Sequence, residues 1–210
     1  MDEQKIKALI KEIEGELQQD PNNTDLLNEM GIGQQKLGAY EEALTYFNKA
    51  LKKAPNDHKL HYNKANALFE LQRMEEAMHH YLNALEHQPD HVPSLTNLAD
   101  IYRIAGQYEE AIELFKYITK LQPDDPISHL NLGNAYSYRG MGKEAIEAYK
   151  QAYELDSQQY EALNNIGLIL KENGHLESAI EYFEKCLSIN PGYEPAQRDL
   201  KACKESLGDQ

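Results

Sequence analysis

Prolines recur along this chain on a grid of 34 residues, at Pro21, Pro55, Pro89, Pro123 and Pro191, with Ser157 in the one gap. Such a period constrains a fold more than any composition, because it means one supersecondary unit copied and stacked. Other series share the phase. Ala43, Ala77, Ala111, Ala145 and Ala179 form one, and Phe47, Tyr81, Phe115, Tyr149 and Phe183 another. Small residues stand at Gly31, Ala65, Ala99, Gly133 and Gly167. Glycines stand at Gly38, Gly106, Gly140 and Gly174, with Gln72 in place of one.

Each series has a mechanical reason. In the first half of a repeat, Leu95, Leu98, Ile101 and Tyr102 fall at helical spacing. In the second half Ala111, Ile112, Leu114, Phe115 and Ile118 do the same. Between the halves, the glycine of Ala105-Gly106-Gln107 offers the positive φ that ends a helix. Small residues at 99 and 111 let two helices approach beside a large aromatic, and the boundary proline stops the second helix. One hairpin cannot bury its own apolar face, so the hairpins must stack.

These motifs resemble the tetratricopeptide repeat: large–x2–apolar–small, then Ala–x3–aromatic, then Pro, as in Leu163…Ile166-Gly167, Ala179…Phe183 and Pro191. The resemblance covers 24–57, 58–91, 92–125, 126–159 and 160–193. It implies an all-α fold, a right-handed superhelical solenoid of antiparallel helix pairs, with 1–210 as a single domain. Residues 1–23 are expected to hold the second helix of an incomplete repeat, and 194–210 a capping helix with Ala196, Leu200, Cys203 and Leu207 inward. Lys64 takes a normally apolar position and is expected to lay its stem along the surface, amine in water.

The charge balance narrows the partners. With 21 basic and 35 acidic residues the net charge is −14, which repels nucleic acid and anionic membranes. No apolar run approaches a membrane span. The two cysteines, Cys186 and Cys203, do not make a metal-type pair, so a reducing, cytoplasmic location is expected.

Catalytic and metal motifs are not found. His58 and His61, or His87 and His91, lack further ligands and read as solvated or partly packed side chains. Gly140-Met141-Gly142-Lys143 is followed by Glu144 rather than Ser or Thr, and reads as a repeat turn rather than a phosphate loop. The pairs Glu41-Glu42, Glu75-Glu76 and Glu109-Glu110 open second helices, where negative charge is favourable. No enzyme, cofactor or metal site is therefore expected.

What remains is recognition. The resemblance implies a concave groove lined by the first helices. Its expected lining has an apolar middle of Tyr62, Phe69, Ile127, Leu130 and Leu168 and polar members Asn66, Asp100, Arg103 and Asn134. One repeat position is a column of asparagines, Asn63, Asn97, Asn131 and Asn165, broken by Glu29 in the first repeat. The column is similar to the asparagine ladder in the repeats of O-linked N-acetylglucosamine transferase. It implies amides that grip the backbone of an extended chain. The two-carboxylate clamp of family members that hold chaperone tails is absent: Asn28 and Ile32 occupy its first pair. The expected function is an adaptor that binds an extended segment of a protein partner in the groove. The alternative is a structural module that self-assembles as a homo-oligomer through helix faces or repeat ends.

Overall fold

The computed structural model describes residues 3–208. Its helices are α1 (Glu3–Gln19), α2 (Thr24–Lys36), α3 (Tyr40–Leu51), α4 (His58–Glu70), α5 (Met74–His87) and α6 (Val92–Ile104), followed by α7 (Tyr108–Leu121), α8 (Pro126–Tyr138), α9 (Gly142–Leu155), α10 (Tyr160–Glu172), α11 (Leu176–Ile189) and α12 (Glu194–Gly208). No strand occurs among the described residues. The first helices start at 24, 58, 92, 126 and 160, one repeat apart, and α12 starts at the next grid point, 194. The terminal helix is thus the first helix of a further repeat.

Side chains and turns set these bounds. Asn23 caps α2 by accepting from the N–H groups of Asp25 and Leu26, both at 3.1 Å. Asp57 and Asp125 do the same for α4 and α8. At the other end of α6, Gly106 has φ 75°, and the N–H groups of Gly106 and Gln107 return to the carbonyls of Arg103 and Tyr102. The equivalent Gln72 holds φ 60° with the same pattern onto Phe69 and Leu68.

The described residues divide into two compact units, with the division inside α6 after Ile101. In the first unit Ile6, Ile10 and Ile13 of α1 pack around Met30 of α2, so α1 covers the first hairpin as the second helix of an incomplete repeat would. Phe47 and Tyr81 are fully buried, and the Phe47 ring lies against Gly31 of α2. In the second unit Leu130, Ala145, Tyr149, Ala162 and Ile166 form one cluster. Leu163, Phe183 and Cys186 form another, closed by Ala196 and Cys203 of α12. Close approach is what demands glycine at 133, where an added Cβ would lie 2.6 Å from the Tyr149 ring.

One expectation changes on the α4–α5 hairpin and another is narrowed. Lys64 is half-buried rather than surface-laid, and burial above all lowers its pKa. Of the two readings for His61, solvated or packed, it takes the packed one, with Nε2 2.8 Å from the Pro55 carbonyl and Nδ1 2.9 Å from His80 Nδ1. A carbonyl can only accept, so the His61 proton sits on Nε2 and His80 donates from Nδ1. Burial pulls both histidines toward neutrality and holds His80 down at about 3, with the Lys64 charge adding to the shift.

Candidate functional site

The first helices of each unit carry a hollow. In the first unit it has a volume of about 530 Å³. Ile32, Gln35 and Lys36 come from α2, Asn63, Asn66, Phe69 and Glu70 from α4, and Asn97 and Asp100 from α6, with Tyr40 and Tyr81 behind. In the second unit a hollow of about 240 Å³ is lined by Asn134, Ser137 and Tyr138 of α8 and by Asn165, Leu168, Ile169 and Glu172 of α10, over Tyr149. The two are the same place two repeats apart. Asn66, Phe69, Glu70, Tyr81, Asn97 and Asp100 correspond to Asn134, Ser137, Tyr138, Tyr149, Asn165 and Leu168.

A repeated network builds both floors. The Tyr81 hydroxyl donates to Asn66 Oδ1 at 2.6 Å, while Asn97 Nδ2 donates to the same oxygen at 2.9 Å and to Tyr81 Oη at 3.0 Å. Two repeats on, Tyr149 donates to Asn134 Oδ1 at 2.8 Å and Asn165 Nδ2 to that oxygen at 3.2 Å. Burial, before any neighbour, raises the Tyr81 pKa and pushes Tyr149 up to about 12, so both hydroxyls stay protonated as donors. Asn63 meets Ile32 where Asn66 or Asn134 would stand, and an isoleucine cannot accept. Its amide donates one helical turn earlier, to Asn28 Oδ1 at 2.8 Å, and Gln35 Nε2 donates to the Asn63 carbonyl at 3.0 Å.

Three members of the asparagine column, Asn63, Asn97 and Asn165, therefore direct an amide hydrogen at a neighbouring helix. Asn131 stands half-buried at the same repeat position. At the next grid point Asp199 takes the place of asparagine and accepts from Lys171 Nζ at 2.8 Å, its carboxylate nearly buried.

The expected lining separates into groups. Asn63, Asn66, Phe69, Asn97 and Asp100 meet in the first hollow, and Asn134, Asn165 and Leu168 in the second. Tyr62 is half-buried off the hollow, its ring edge-on to His91 at 4.9 Å. Ile127 is 47% exposed near the start of α8. The Arg103 guanidinium lies 5.1 Å above the ring of Tyr138, which itself stacks on Tyr108. Leu130 is a correction: only 7% exposed, it belongs to the core with Tyr149 and Ile166 and offers nothing to a ligand. Its repeat equivalent Asn164 is also buried, and Asn164 Oδ1 has no hydrogen-bond partner.

Sequence reasoning missed Lys36, Glu70, Tyr138 and the two floor tyrosines. A signal for the last existed. Repeats with tyrosine at the second-helix aromatic position have asparagine fifteen residues earlier, at 66 and 134, whereas the phenylalanine repeats have Ile32, Asp100 and Leu168. Among the described residues no group of three or more His, Cys, Asp or Glu side chains could hold a metal. No described helix is long and apolar enough to cross a membrane.

Similar structures share this architecture. The crystal structure of YrrB, described as a TPR protein with an unusual peptide-binding site, is 18% identical with a TM-score of 0.76 over 90% of this chain and 97% of that one. MamA (residues 41 to the end) from Desulfovibrio magneticus RS-1 is 22% identical with a TM-score of 0.75 over 81% of this chain and 96% of that one. The C-terminal part of a TPR repeat-containing protein from Cytophaga hutchinsonii is 15% identical with a TM-score of 0.78 over 98% and 86%. At these identities the likeness is one of fold. A comparison with curated protein sequences gave no significant match. Models of the tetratricopeptide repeat match residues 24–57, 57–124, 128–159 and 160–193, nearly the whole of the repeated region. On the phased motifs, the paired helices and these matches together, the chain belongs to the tetratricopeptide repeat family.

Proposed function

We propose that this protein is a non-catalytic adaptor that holds an extended segment of a partner protein along the face formed by its first helices. A tetratricopeptide repeat fold is a scaffold for protein–protein interaction. The observation that carries the finer reading is the repeated hollow: the same first-helix face opens at equivalent positions in both units, each time over a Tyr–Asn–Asn floor. Concave, mixed apolar and polar surface with fixed hydrogen-bonding groups suits a peptide better than a flat partner. A peptide-binding site in the structurally similar YrrB is in keeping with this reading. The column amides serve it through their carbonyl oxygens and through the amide hydrogens that do not brace the helices.

The test is capture of partners by the immobilised full chain, read by mass spectrometry, against the double variant Phe69→Ala, Ser137→Trp. These substitutions alter equivalent points of the two hollows. The variant should lose its specific partner, with affinity for that partner at least about tenfold weaker and helical content unchanged. Equal capture by both proteins would move the site off this face. Growth of the free chain's mass with concentration in light scattering would favour self-assembly instead.

A further inference from the structure

Four of the five repeats open their second helix with a large residue, Tyr40, Met74, Tyr108 and Leu176, whereas the fourth opens it with Gly142. Tyr108 shows what the large residue does. Its ring stacks on that of Tyr138 from the next hairpin, with centroids 6.2 Å apart and planes 6° from parallel, and beside it Arg139 is ion-paired with Glu109. Stack and ion pair together bridge two successive turns. One repeat on, the same places hold Gly142, Glu172, Asn173 and Lys143, which can form neither.

What opens there is a hollow of about 530 Å³ in the second unit. Its floor is apolar, made by Ile146 of α9 with Ile169 and Leu170 of α10, and its exposed rim carries Lys143 and Glu172, one charge of each sign. The chain cannot fill this place from position 142 without rearrangement. A Cβ on Gly142 would lie 3.1 Å from Cγ2 of Ile169. Where the opening residue is tyrosine, at 40 and 108, the position equivalent to Ile169 in the next repeat is alanine, Ala67 and Ala135. Exchanging Tyr and Ala for Gly and Ile puts apolar surface at the base and leaves the place of the ring open. The opening also joins the second hollow of the first-helix face, since Ser137, Ile169 and Glu172 line both.

We propose that the hollow at Gly142 seats an aromatic side chain of the bound segment, in the place that Tyr108 fills one repeat earlier. This rests on the peptide-holding reading of the first-helix face. The place takes a ring in the sister repeat, it opens off the hollow that the segment follows, and its balanced rim charges favour a neutral occupant. An aromatic ring buries a large apolar area on the isoleucine floor with few torsions to fix.

The experiment is an NMR titration of the full chain, with ¹³C-labelled isoleucine methyl groups and ¹⁵N-labelled side-chain amides. The probe is a capped polyalanine peptide carrying one central tyrosine, and its leucine counterpart is the comparison. The ring current should move the methyl resonances of Ile146 and Ile169. It should leave in place that of Ile112, the equivalent of Ile146 where Tyr108 fills the seat. The leucine peptide should bind about fivefold more weakly. The double variant Gly142→Tyr, Ile169→Ala restores the tyrosine–alanine pair of the sister repeats. It should keep its helical content and bind the tyrosine peptide at least about tenfold more weakly. Leucine binding as tightly as tyrosine would overturn the aromatic seat, and this comparison decides even where the double variant fails to fold. A folded double variant that binds undiminished would overturn it too. In both cases, shifts at the Asn134 and Asn165 side-chain amides would leave the peptide-holding face standing. No shift with the tyrosine peptide would overturn the seat alone, because the face is judged by capture of the partner. Shifts confined to residues off the first-helix face would count against both.

Discussion

Gln72 does alone what glycine does at Gly38, Gly106, Gly140 and Gly174: it turns the chain out of a first helix at positive φ. A side chain there brings Cβ against the following carbonyl, at a cost of roughly 1–2 kcal/mol, part of which glycine returns through its freer unfolded state. Gln72→Gly should therefore raise the unfolding free energy by about 0.5–1 kcal/mol, visible as a higher melting temperature in circular dichroism. A lower melting temperature would mean that the Gln72 side chain contributes something its backbone angle does not show. This residue was legible from the sequence, because the 34-residue grid marks it as the one turn without glycine. Leu130 and Asn164 were not, because the shared repeat position does not say how far each side chain is buried. Tyr62, at that position, stays half-buried, while Leu130 reaches the core around Tyr149.

At the scale of elements, most helix bounds could be read from the chain because the end is punctuated by a local device: an Asn or Asp cap, a turn at positive φ, a boundary proline. What passes between helices was harder to read. The Tyr–Asn–Asn floor was written in a pairing of positions fifteen apart, but the His61–His80 contact needs the register of α4 against α5, which no motif encodes. That contact makes the hairpin sensitive to acid. Both histidines have folded pKa values below the ordinary 6.5, His80 at about 3, chiefly through burial. Below 6.5 the unfolded chain takes up protons that the folded hairpin refuses, so stability is full above 6.5 and declines as pH falls toward 3. The melting temperature should already drop between pH 7 and pH 5, above the range where carboxylates titrate. His80→Gln, which keeps a donor toward His61 Nδ1, should flatten that slope. A wild-type curve level across this interval, or a variant with the same slope, would show that the pair does not govern the hairpin.

At the scale of the whole molecule the relevant quantity is the net charge of −14, which no single site accounts for. A field of that sign draws a basic segment in from beyond contact distance, and its reach is the Debye length, about 30 Å at 0.01 M salt and about 8 Å at 0.15 M. Steering acts on encounter, whereas contacts made in the pocket act on escape. The association rate constant for a basic partner segment should thus fall by about threefold to tenfold between those salt concentrations, with dissociation changing much less. The two scales can be separated with one variant. Glu70→Lys changes two units of local charge and leaves the overall charge strongly negative, so it should speed dissociation while keeping most of the salt dependence of association. Stopped-flow or surface-based kinetics on wild type and variant across a salt series makes the comparison. If dissociation carries the salt dependence, or if Glu70→Lys abolishes it, the attraction is local to the hollow and the acidic remainder of the molecule plays no part in recognition.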